Sequence, residues 1–161
     1  MKNNIIRYSA LVLLVFSMCA IFYFSAQPAD VSEETSNGVI EKMISVFYPE
    51  YNGLDDFAKQ DIVITFVVPI RKLAHFLEFF MLGGSTYVFV STFNGFLKKY
   101  RFLISLSFAV FYAICDELHQ IFVPGRACRF SDILVDSVGA LTAILIFVLI
   151  LRIRRRRKGE Q

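Results

Sequence analysis

Residues 133–151 read ILVDSVGALTAILIFVLIL, and Arg152, Arg154, Arg155, Arg156, Arg157 and Lys158 follow at once. A run of about 20 apolar residues is what a helix needs to cross the hydrocarbon core, and the basic block after it reads as a stop-transfer anchor facing anionic lipid. Lipid offers no partner for an unpaired backbone amide, so a crossing segment of this length is helical. Two acids interrupt its start, Asp132 and Asp136, and Gly139, Ala140 and Ala143 follow them on a face where a neighbouring helix can come close.

Working outward, three further apolar runs appear, at about residues 5–26, 73–93 and 102–123. The chain has 161 residues, of which 56% are hydrophobic and 16% aromatic, well above an ordinary soluble domain. The predicted fold is all-α: a polytopic membrane protein with four transmembrane helices plus an outer amphipathic helix, forming a single domain over 1–161. The first run is longer than a secretory signal core and no small-x-small site closes it, so it is expected to remain as an anchor.

Lysine and arginine in short connections are retained on the cytoplasmic side. Lys98, Lys99 and Arg101 fill the link between the second and third runs, the block 152–158 follows the fourth, and Lys2 and Arg7 precede or open the first. Both termini are therefore expected in the cytoplasm, in the cell membrane. The outer link 27–70 carries eight acids and two bases, which agrees; Arg126 and Arg129, in the short outer link, run against the trend. A net charge of only +3 and no recognisable binding fold argue against nucleic acid as a partner. Cys19, Cys115 and Cys128 show no zinc-type spacing and no even set for a disulfide framework.

Within the outer link, Asp30 and Glu33 have the spacing of a capping box, and Val39, Ile40, Met43, Ile44 and Phe47 recur at helical intervals. This predicts an amphipathic helix, lying either on the membrane surface or over the bundle as a plug. Tyr48, Pro49, Asn52 and Gly53 should break it. Residues 62–70 are apolar but too short to cross, and Pro69 disfavours helix at Val68, so an interfacial or re-entrant segment is expected there.

Ionisable and amide side chains collect near the outer ends of three runs. Arg71, His75 and Glu78 share a helix face at i, i+4, i+7, with Lys72 beside them. Asp116, Glu117 and Gln120, with His119 adjacent, lie at the same depth, as do Asp132 and Asp136. An ionised group inside a span costs about 2.5 to 3.5 kcal/mol at the helix centre and is kept mainly where it faces protein or a wet cavity. An interhelical ion-pair network fixing helix register would account for some of them. The turn Pro124-Gly125-Arg126, which would hold a guanidinium above the acids, argues for a cavity that meets a phosphate or carboxylate.

The pieces Phe24-Ser25-Ala26-Gln27-Pro28, Arg71-Lys72-x-x-His75-Phe76-x-Glu78, Asp116-Glu117-Leu118-His119-Gln120-x-Phe122-Val123-Pro124-Gly125-Arg126 and Asp132-x-x-x-Asp136-x-x-Gly139 together resemble the VanZ-like family of bacterial membrane proteins. The resemblance runs from about residue 20 to 145. It implies a small integral membrane protein with an envelope role; the family's namesake is associated with teicoplanin resistance. Phe79 stands where a tyrosine is common, and Asp136 where an asparagine is often seen.

The function expected is therefore engagement of a lipid-linked or cell-wall precursor head group by Arg71, Lys72 and Arg126 above the acids, with membrane lipids as partners and no obligatory cofactor. A membrane-embedded hydrolase or transferase on a lipid phosphate is the alternative, with His75 or Glu117 as general acid or base and Asp132 and Asp136 able to hold a divalent cation. A proton-coupled transporter is the third. The oligomeric state is not legible in the sequence.

Overall fold

The computed structural model describes residues 2–157 and Gly159; Lys158, Glu160 and Gln161 of the basic tail lie outside the described residues. The chain is all helical: α1 (Lys2–Ser25), α2 (Ala29–Phe47), a 3-10 turn (Pro49–Gly53), α3 (Asp56–Ser91), the short α4 (Phe96–Lys99), α5 (Arg101–Gln120) and α6 (Phe130–Arg157). Three of these are long and apolar enough to cross a membrane, over Asn3–Ser25, Arg101–Gln120 and Phe130–Arg154. Among the described residues there are no strands.

Side-chain contacts fix how the helices run. Arg7, near the start of α1, donates to the Thr92 hydroxyl and carbonyl at 3.1 and 3.0 Å just past the end of α3, so α1 and α3 are antiparallel. The Tyr112 hydroxyl of α5 donates to the Met18 carbonyl of α1 at 2.8 Å, and Arg126 after α5 reaches the end of α1, so those two run parallel. Along α3 and α6, Gly139 meets Phe76 while Gly84 meets Ala143 and Phe147, so this pair is parallel too. Arg7, Arg101 and the bases that close α6 consequently gather at one end of the bundle. The polar cluster sits at the other.

The α3–α6 seam is built by small residues. A Cβ at Gly83 would lie 2.7 Å from the Ala140 Cα, and one at Gly139 would overlap the Phe76 carbonyl. Ala140 and Ala143 are fully buried in the same seam. Lipid removes most of the hydrophobic advantage of burying a side chain between helices, so close backbone approach and dispersion hold the pair. Leu14, Ile21, Phe79, Leu82, Ala109 and Ala113 continue this core across to α1 and α5.

Two local expectations are corrected. The Asp30/Glu33 capping box does not form. Pro28 is the N-cap of α2, and the Asp30 carboxylate accepts instead from the adjacent Val31 amide at 2.9 Å. With Pro28 as N-cap the helix starts at Ala29, two residues earlier than a box on Asp30 would place it, and Asp30 lies inside it. Nor is 62–70 a separate interfacial or re-entrant segment: α3 continues through Pro69. Asp55 caps it, accepting from the Ala58 amide at 2.7 Å. Proline removes one helical hydrogen bond, that to Thr65, and both residues lie on the exposed face. Val63, Val67 and Ile70 on the other face pack against Ile40, Ile44 and Tyr51, and this packing outweighs the lost bond. α2 packs on α3 through Ile40, 0% exposed, while Val39, Met43 and Phe47 of the same apolar stripe stay exposed.

Candidate functional site

Where α1 ends and α2 turns back across α3, the helices enclose a cavity of about 200 Å³. Ile21, Phe24, Val39, Ile70 and Ala74 give it an apolar wall, and Ser32, Thr35 and Ser36 of α2 give it a row of hydroxyls. Arg71, His75 and Glu78 enter from α3, Asp116 from α5, and Arg126 from the link after α5. Five of the polar residues singled out from the sequence thus line one cavity.

Four others stand close behind it. Gln120 donates from its side-chain amide to Asp116 at 3.2 Å, the i, i+4 pairing of one helix face. Glu117 is fully buried, and one of its oxygens accepts the Arg129 backbone amide at 2.7 Å, which anchors the start of α6 to the end of α5. Asp132 opens α6 and accepts from the Ser131 hydroxyl at 3.0 Å. Asp136, one turn further in, is 0% exposed, and its Oδ1 lies 3.7 Å from His75 Nδ1. Lys72 is placed differently: about 100° round the helix from Arg71, it is exposed and outside the cavity. His119 also points elsewhere, packing its ring 5.0 Å from that of Phe22.

Arg126 closes the cavity by two long-range bonds. Its Nε donates to the Gln27 carbonyl and its terminal nitrogen to the Phe24 carbonyl, each at 3.2 Å. The backbone of the same turn adds a third tie, Ala29 N–H to the Pro124 carbonyl at 3.1 Å. Gly125 makes the turn possible: its φ is +73°, and a Cβ there would lie 2.8 Å from that of Ala29. Burial and the nearby Arg71 push the Arg126 guanidinium down from its usual value while Asp116, Glu117 and Glu78 oppose them. An arginine remains cationic through such a shift.

The result is two guanidiniums on one cavity with carboxyls and an imidazole facing them. Guanidinium forks match phosphate and carboxylate oxygens, and the apolar wall suits the first carbons of an attached chain. Among the described residues, no three His, Cys, Asp or Glu side chains converge as a set of metal ligands. Asp132 and Asp136 face different neighbours, Ser131 and His75. The three cysteines are exposed and free.

Several members of the site carry no signal of charge. The hydroxyl row on α2 belongs to it because α2 folds back over α3, and the carbonyls of Phe24 and Gln27 because Arg126, after α5, docks on the end of α1. The spacing of Ser32, Thr35 and Ser36, at i, i+3, i+4, was the trace available in the sequence. Comparison with known families closes the matter of kinship: the VanZ/LLP1 family model matches residues 10–152, and the chain belongs to that family. No curated protein matches it, and no solved structure does.

Proposed function

We propose that this VanZ/LLP1 protein crosses the cell membrane four times and uses its cavity to engage the anionic head group of a lipid or a cell-wall precursor in the outer leaflet. The C-terminal half of α3 is the fourth crossing, and both termini face the cytoplasm. Support for the orientation comes from the bases gathered at one end of the bundle, the cavity lying at the other.

The observation that carries the head-group reading is the joint presence of Arg71 and Arg126 on one cavity that also has an apolar wall of Ile21, Phe24, Val39, Ile70 and Ala74. Two fixed cations favour an anion, and an apolar wall favours one attached to a lipid. Volume narrows it further. At about 200 Å³ the cavity is smaller than the about 300 to 1,000 Å³ of sites that enclose a drug-sized ligand, so the head group enters and the rest of the molecule stays outside. Engagement of this kind gives the protein a part in envelope homeostasis and, through wall precursors, in susceptibility to a glycopeptide such as teicoplanin.

Binding to nanodiscs tests it. Phosphatidic acid should bind in preference to phosphatidylcholine, and Arg71→Gln should weaken that preference about tenfold or more, the equivalent of one charge-assisted contact. Equal binding of the two lipids would remove the reading. Orientation has its own check. In a variant keeping Cys128 as the single cysteine, a membrane-impermeant thiol reagent should label intact cells; labelling only after lysis reverses the topology.

A further inference from the structure

We propose that the cavity is a hydrolytic site for a phosphate monoester carried on a membrane lipid, in which His75 accepts a proton from water and Asp136 is the residue that positions it. The inference rests on the head-group reading and adds a reaction to it.

His75 is a cavity wall, and its side chain is 15% exposed. Its Nδ1 is buried and faces Asp136, whereas Nε2 is neither buried nor hydrogen-bonded among the described residues, so Nε2 is the atom open to the cavity. Asp136 is unusual: it is fully buried, and neither carboxylate oxygen has a hydrogen-bond partner. A buried carboxylate without a partner costs several kcal/mol, and the one cationic or potentially cationic group within 4 Å, among the described residues, is His75.

A carboxylate behind Nδ1 favours the tautomer that carries its proton there, which leaves the Nε2 lone pair directed into the cavity. The gap of 3.7 Å is longer than a hydrogen bond; such pairs commonly tighten when the ligand arrives. Packing keeps the two within reach. Gly139 lies one turn after Asp136 and rests on the backbone of Phe76, the residue after His75, so the glycine seam sets the distance across the dyad.

The other groups suit a phosphate dianion. Arg71 and Arg126 hold its oxygens. Glu78 and Asp116 line the same cavity, and a protonated Glu78 can serve there as the acid. In the reaction, His75 Nε2 takes a proton from water as the water oxygen bonds to phosphorus. The bond from phosphorus to the lipid oxygen breaks, and that oxygen takes a proton from Glu78. Phosphate leaves, the lipid alcohol remains, and the proton on His75 returns through solvent to Glu78. One water is consumed, and no redox change occurs.

The full chain in mixed micelles with dioctanoyl phosphatidic acid should release inorganic phosphate. His75→Gln should lower kcat by about 10² to 10⁴ while leaving KM and phosphatidic acid binding nearly unchanged. Asp136→Asn, close in shape, should lower kcat at least about tenfold. It should also move the acid limb of the pH–rate profile to lower pH, because the carboxylate favours the imidazolium; Asp132, Arg71 and Arg126, the other charges around His75, remain in place. A purely architectural Asp136 would leave that limb where it is. Should His75→Gln fail to give a monodisperse protein, His75→Asn takes its place. Wild-type protein that binds phosphatidic acid yet releases no phosphate overturns this inference and spares the head-group reading; wild-type protein that does not bind it removes both. Full turnover by His75→Gln also overturns it.

Discussion

The two flanks of α3 are built on opposite rules. Toward α6 it presents Gly83 and Gly84, together with the Phe76 backbone against Gly139, and no space remains between the helices. Toward α1 and α2 it presents Arg71, Glu78 and the open edge of His75, whose Nδ1 faces Asp136 of α6, and leaves a cavity of about 200 Å³. One helix therefore acts as a rigid reference on one side and as a reactive wall on the other. The contrast teaches that the seam is what makes the cavity's geometry reproducible. Charged side chains at this depth cost energy to hold, and an adjoining backbone contact that cannot slide bears that cost.

That contrast can be broken most severely at Gly139. Gly139→Leu puts a side chain where the Phe76 carbonyl lies and should destabilise the protein by about 3 kcal/mol, read as thermal unfolding in detergent. An unchanged midpoint would mean that the seam slides freely. Next comes the cover. Ile40 is fully buried against Tyr51 and Val63, and Ile40→Ala should cost about 2 kcal/mol or more. The loss should be local: hydrogen exchange should rise across 29–47 while α5 and α6 stay protected. If protection falls everywhere, the two flanks are not separable.

Arg126→Lys sharpens the comparison from the cavity side. A lysine cannot reach both the Phe24 and Gln27 carbonyls, and the expected loss is about 1.5 kcal/mol with weaker phosphatidic acid binding. Retained stability with weakened binding would assign the guanidinium to the ligand alone. The smallest effect belongs to Lys72→Ala. Although it adjoins Arg71, it is exposed outside the cavity, so stability should stay within about 0.5 kcal/mol and lipid binding should not change. A drop in binding would place the rim wider than the cavity now described.

Hydropathy made α1, α5 and α6 legible because lipid leaves an apolar segment few choices besides helix. The first half of α3 was hidden by Pro69. Its local preference reads as a break, and only the packing of Val63, Val67 and Ile70 on Ile40 and Tyr51 reverses it. Likewise the Asp30 spacing was a sound local signal overruled by Pro28 at the start of α2. Within the site, the Asp116–Gln120 bond was readable from an i, i+4 interval on one helix. His75 and Asp136 were each visible, but their pairing depends on how α3 is rotated against α6, and glycine contacts set that rotation. Lys72 shows the converse: adjacency in sequence implied a shared rim, while one residue of helical advance turned it outward.

The clasp formed by residues 124–126 on the α1–α2 elbow has a consequence for biogenesis. Phe24, Gln27 and Ala29 find their partners about a hundred positions later in the chain. During synthesis α1 is made about a hundred residues before those partners, so the pocket cannot be closed by this clasp until the turn after α5 exists. Chains truncated before residue 124 should therefore lack the clasp, and the two halves of the pocket wall should be left untied.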